Sequence, residues 1–125
     1  MEDFIRDFHV LGRTLVEIMT TVAFVWLLWG LFKKEAYDKR THTVVAVWSG
    51  LIDLQATSGI ILFVVLGEFD VRYRWEHAFI MVLAAVVGHA YGPLKKRPDT
   101  LRYQGGLASI VVVLVLVMVG VGLVT

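Results

Sequence analysis

Four long apolar stretches, Val10–Phe32, Val44–Gly67, Trp75–Tyr91 and Leu107–Val124, take up most of a chain of 125 residues. Each is close to the ~20 residues with which an α-helix covers ~30 Å of hydrocarbon. The pattern predicts a single all-α domain over 1–125, a transmembrane four-helix bundle running up-down-up-down, with helices near 6–32, 43–67, 75–92 and 104–124. Little chain is left for a soluble domain. Function therefore has to be read from the polar side chains within or at the edges of the helices, where such groups are costly and tend to be functional.

Composition narrows the field further. Hydrophobic residues make up 58% of the chain and charged ones 18%, and there is no cysteine. Disulfides, thiolate metal sites and cysteine-held iron–sulfur clusters are excluded, and any haem has to be non-covalent. A net charge of +1 argues against a nucleic-acid partner; the distribution of charge says more. Lys33, Lys34, Lys39, Arg40, Lys95, Lys96, Arg97 and Arg102 fall in the first and third inter-helix loops, which four helices place on one side. The other side holds Arg6, Arg13, Arg72 and Arg74 among Glu2, Asp3, Asp7, Glu68, Asp70 and Glu76. By the positive-inside rule the basic loops are cytoplasmic and both termini face out, as expected of a multi-pass protein of the cell (inner or plasma) membrane. The acidic start, Met1 to Asp7, lacks a basic leader region, so residue 1 reads as the mature start.

The histidines sort into two levels. His9 and His77 open helices 1 and 3 on the outer side; His42 and His89 lie at the inner ends of helices 2 and 3. Two imidazoles facing each other across a four-helix bundle can clamp a haem iron axially. The neighbours favour the outer pair. His9, Arg13 and Glu17 climb one face of helix 1 at four-residue spacing. Arg13 can pair with Glu17 or reach a haem propionate, and Arg72 and Arg74 can serve the second propionate. His77 shares its face with Met81, Ala84, Ala85 and Gly88, and Gly59 of helix 2 lies at the same depth. For His42, beside Lys39 and Arg40, a wet interfacial imidazole is the simpler reading. His89 is expected to be more buried, as a hydrogen-bonding residue or as half of a second haem pair with His42. Helix 4 carries no chemistry beyond packing, in which Gly120 and Gly122 let a neighbour approach closely.

The ordered set His9-Val-Leu-Gly-Arg13, Asp53-Leu-Gln55-Ala-Thr-Ser-Gly59 and Trp75-Glu76-His77 running through Met81 to His89 resembles the small four-helix membrane proteins labelled "cytochrome B"-like. The resemblance covers helices 1 to 3, roughly two-thirds of the chain; Tyr37 departs from the Pro-Phe-Thr that family tends to have in the first inner loop. It implies a haem-binding membrane protein and no particular reaction. Together these readings predict one haem b, with a second as a lesser option, held by His9 and His77 with Arg13, Arg74, Gly59 and Met81 around it. The expected role is single-electron transfer to or from quinol or a redox partner protein, more an electron carrier or subunit than a stand-alone enzyme. Glu17 and Asp53, the deepest carboxylates, are candidates for proton or quinol binding. Two other readings stay open: a haem-free accessory subunit of a respiratory or photosynthetic complex, and a small proton-coupled transporter using Glu17. Assembly into a larger complex or a homo-oligomer fits either of the first two.

Overall fold

The computed structural model describes residues 2–67 and 69–124. Met1, Thr125 and Glu68, the last of these counted above among the outer acids, lie outside the described residues, as do the side chains of Glu2 and Val124. The chain forms α1 (Glu2–Phe32), α2 (Lys39–Leu66), α3 (Arg72–Val87) and α4 (Asp99–Val124), with a 3-10 turn at Gly92–Leu94. The first, second and fourth helices, and the third with the turns that prolong it to Leu94, are long and apolar enough to cross a membrane. Consecutive helices pack side by side and α4 closes the ring against α1, while α2 meets the short α3 over less of its length. The expected all-α four-helix bundle is the observed architecture.

One spacing rule explains the packing. Buried residues follow steps of four and three along each long helix: Val16, Thr20, Ala23, Leu27 and Gly30 on α1; Thr41, Val45, Trp48 and Ile52 on α2; Tyr103, Gly106, Ile110 and Val113 on α4. A 3.5-residue repeat keeps one stripe facing the neighbours, as in coiled coils and most four-helix bundles. The remaining faces are apolar too and lie exposed, as lipid contact requires; Phe32, Phe79 and Met118 are examples. At the core, fully buried Trp48 donates its indole N–H to Thr20 Oγ1 at 3.0 Å, and the Thr20 hydroxyl donates to the Val16 carbonyl at 2.6 Å. Two polar groups are thereby satisfied inside an apolar interior.

The end bearing the basic loops is drawn tight. Gly30 of α1 lies flat against the Tyr103 ring of α4, so close that a Cβ there would overlap it. The Tyr103 hydroxyl donates to the Ala36 carbonyl at 3.1 Å, its ring meets Tyr37 edge-on at 5.1 Å, and the Arg102 guanidinium lies 3.9 Å over Tyr37. Asp38 caps α2, accepting from the Thr41 backbone N–H and from the Thr41 hydroxyl, both at 3.0 Å.

The helix ends differ from the sequence expectation for physical reasons. Helices α2, α3 and α4 begin three to five residues before the expected starts, because charged first-turn residues are harmless where the backbone N–H groups need caps or water rather than hydrocarbon. Helix α3 ends at Val87 instead of near 92: Gly88 closes it, and Gly92-Pro93 cannot resume it. His89 thus stands in the turn beyond α3, half-exposed rather than buried.

Replacing Trp48 by Ala should cost about 3–5 kcal/mol in cavity and lost packing. Trp48→Phe should cost less, since the hydrogen bond to Thr20 is worth only about 1 kcal/mol. Thermal unfolding in a mild detergent orders the three proteins. The Asp38 cap gives a pH dependence with a defined sign. The Thr41 N–H and hydroxyl hold the Asp38 carboxyl below its ordinary value. Its contribution is therefore complete above the usual carboxylate range and is lost as pH falls through the depressed folded value. Asp38→Asn, which keeps a capping oxygen without a titrating one, should be less sensitive to acid in melts from neutral pH to below 4.

Candidate cofactor-binding site

Toward the end carrying the termini the bundle opens into a cavity of about 330 Å³. That lies at the small end of the ~300–1,000 Å³ typical of ligand pockets. All four helices line it: His9 and Arg13 from α1, Gln55 and Gly59 from α2, Arg74, His77 and Met81 from α3, Val117 and Val121 from α4. His9 and His77 thus reach one space. Their positions continue the packing stripes: His9 stands seven residues before Val16, and His77, Met81, Ala84 and Gly88 follow steps of four and three.

Each imidazole is held by its Nδ1. His77 Nδ1 lies 2.6 Å from the Gly120 carbonyl of α4, so it must carry the proton and donate it. His9 Nδ1 lies 2.9 Å from Ser58 Oγ, and Ser58 Oγ lies 2.9 Å from the Gln55 carbonyl. A carbonyl only accepts, so the single Ser58 proton goes to Gln55 and the His9 Nδ1–H donates to Ser58. Both rings are then Nδ1–H tautomers with the lone pair on Nε2. Metal-binding histidines are commonly oriented in this way, the second nitrogen donating to a carbonyl or other acceptor.

The backbone around His9 is equally specified. The Gln55 carboxamide donates to the His9 carbonyl at 2.7 Å. Gly59 leaves room for the imidazole: a Cβ there would stand 2.9 Å from His9 Cε1. Sequence reasoning gave this glycine to the cofactor; the first group it admits is the His9 ring. Gly12 does the same for Gln55, whose oxygen a Cβ at that position would strike. Gln55 Oε1 is buried without a hydrogen-bond partner among the described residues, which leaves an acceptor beside the cavity.

The charged candidates divide. Arg74 lines the cavity, whereas Arg72 pairs with Glu76 at 2.8 Å, is almost wholly exposed and does not line it. Arg13 and Glu17 form an ion pair at 3.2 Å on the cavity wall, both half-exposed, and also border a groove between α1 and α4. Met81 lines the cavity and packs on Gly120, so helix α4 supplies both a close-approach glycine and a hydrogen-bond acceptor, more than the packing expected of it. Gly122 has no such close neighbour.

His42 and His89 do not face a shared space. His89 Nε2 is 2.6 Å from Asp53 Oδ2, and its ring also touches Ser49 Oγ. Tyr91 lies against both histidines, ring centres 5.9 Å from His42 and 6.4 Å from His89. Neither histidine lines the cavity. Among the described residues no three His, Asp or Glu side chains gather into a metal site. No family model, curated protein or solved structure matches the chain.

Ser58 and the Gly120 carbonyl escaped the sequence reading. Ser58 was signalled only by its place before Gly59 on the face of Gln55, and a backbone carbonyl leaves no trace in sequence. Nitrogen-15 NMR of histidine-labelled protein should show Nδ1–H tautomers for His9 and His77. Ser58→Ala, removing a bond worth about 1 kcal/mol, should return His9 alone to a tautomer mixture.

Proposed function

We propose that the chain is a b-type cytochrome of the membrane, with His9 and His77 as axial ligands of one haem b in the cavity near the termini. The observation that carries this reading is the pair of imidazoles on one cavity, each with its Nδ1–H engaged and its Nε2 lone pair free. The donor set fits the group: two neutral imidazoles, apolar walls from Ala78, Met81, Ala84 and Val117, and Arg74 for a propionate carboxylate. The resemblance to cytochrome-B-like proteins agrees with it. A haem bound there supplies a one-electron couple.

The chain's own residues set the conditions. Ser58 and Gly120 fix the ring orientations, Gly59 seats His9, and the apolar helices keep water away. Glu17 is paired with Arg13 instead of standing free for a cation, which weighs against a proton-coupled transporter that uses it. By the positive-inside argument the site lies in the outer half of a cell membrane, exchanging single electrons with quinol or a redox protein, alone or within a complex.

Protein purified from a haem-replete host should show a reduced-minus-oxidised b-type α-band with about one iron per chain. His9→Ala and His77→Ala should each lose more than about nine-tenths of it, while His42→Ala retains it. Absence of band and iron in well-folded protein would overturn the assignment.

A further inference from the structure

The proposed haem leaves an acid–base pair unused at mid-depth of α2. Asp53 stands near the middle of that helix, and His89, crossing from the turn after α3, reaches its carboxylate at 2.6 Å. That separation is as short as charge-assisted bonds become. Ser49, one turn along α2, touches the same imidazole at 3.3 Å. Toward the basic loops the Tyr91 ring stacks on His89, and the His42 ring meets Tyr91 edge-on. His42 Nδ1 is buried without a hydrogen-bond partner among the described residues. Imidazole, phenol, imidazole and carboxylate therefore stand in line over the ~16 Å that α2 rises between His42 and Asp53.

We propose that Asp53 and His89 together form a proton-binding site, reached from the basic-loop end through His42 and Tyr91, that would take up a proton when a haem held by His9 and His77 is reduced. This rests on the haem reading. Ser58, which holds His9, lies only about 7.5 Å further along α2 than Asp53, a distance over which a charge is felt through a poorly polarisable interior. The balance is simple: one electron from an external one-electron donor, one proton from water at the basic-loop end, one new N–H or O–H bond at the pair. The other ionisable groups on the packed elements around the pair are Arg13 and Glu17 of α1, and, toward the basic loops, Tyr91 beyond α3 and His42 of α2. Helix α4 has none after Tyr103.

The test is an optical redox titration of the full chain in lipid nanodiscs across a pH series. In the wild type the reduction equilibrium should shift by up to tenfold per pH unit, ~59 mV for a one-electron couple. Asp53→Asn and His89→Gln should each flatten that slope with the α-band intact, and if one variant fails to fold the other decides. His42→Gln and Tyr91→Phe should keep the slope and slow dye-detected proton uptake after flash reduction several-fold. A wild-type potential independent of pH, a slope that survives both Asp53→Asn and His89→Gln, or one removed instead by Glu17→Gln overturns the proton site. Uptake as fast in His42→Gln and Tyr91→Phe as in wild type overturns the route. Folded protein without an α-band overturns the haem reading, and this inference with it.

Discussion

A polar side chain drawn into hydrocarbon has no water to turn to, so its partner must be another part of the protein. Much of this bundle's interior follows from that constraint. Trp48 answers to Thr20, His9 to Ser58, Gln55 to the His9 carbonyl, and His77 to the Gly120 carbonyl. Each bond joins two different helices, so meeting the polar requirement also fixes how the helices stand. The histidines are held for that reason, and holding them selects the tautomer that leaves a nitrogen lone pair free.

Packing changes along the bundle axis. At the basic-loop end Gly30 admits the Tyr103 ring, and Gly106 admits Leu27, so α1 and α4 come close. At the other end imidazoles, Met81 and short side chains line the walls, and the same four helices enclose a cavity. Small residues serve both ends by different means. Gly30 lets helices touch, whereas Gly59 lets a ring lie between them. Interior packing is dense enough that one added methyl group at either place would have to displace an aromatic ring.

Several parts of this arrangement were legible in the chain. The apolar runs predicted four spanning helices, because bilayer thickness fixes their length. The four-residue spacing of His9, Arg13 and Glu17 predicted one helix face, and the Arg13–Glu17 pair is present. The expected common depth of His9 and His77 follows from their places near the starts of α1 and α3, which run in the same direction. Less legible were the ends: α3 stops at Val87 because Gly88 and Gly92-Pro93 outweigh the apolar run that continues to Tyr91. His89 consequently leaves the helix and turns to Asp53, a partner that its distance in sequence conceals.

The sequence by itself determined the class of molecule, the number of its spans, and which residues could bear chemistry, since these depend on hydrophobicity and helical periodicity alone. Only the tertiary structure decided which nitrogen of His9 and of His77 is occupied, that Arg74 rather than Arg72 meets the cavity, and that His42 and His89 are separated by Tyr91. Those outcomes depend on the tilt and rotation of one helix against another. They are set by the sum of many side-chain contacts, and in one case by a backbone carbonyl whose position no residue type encodes.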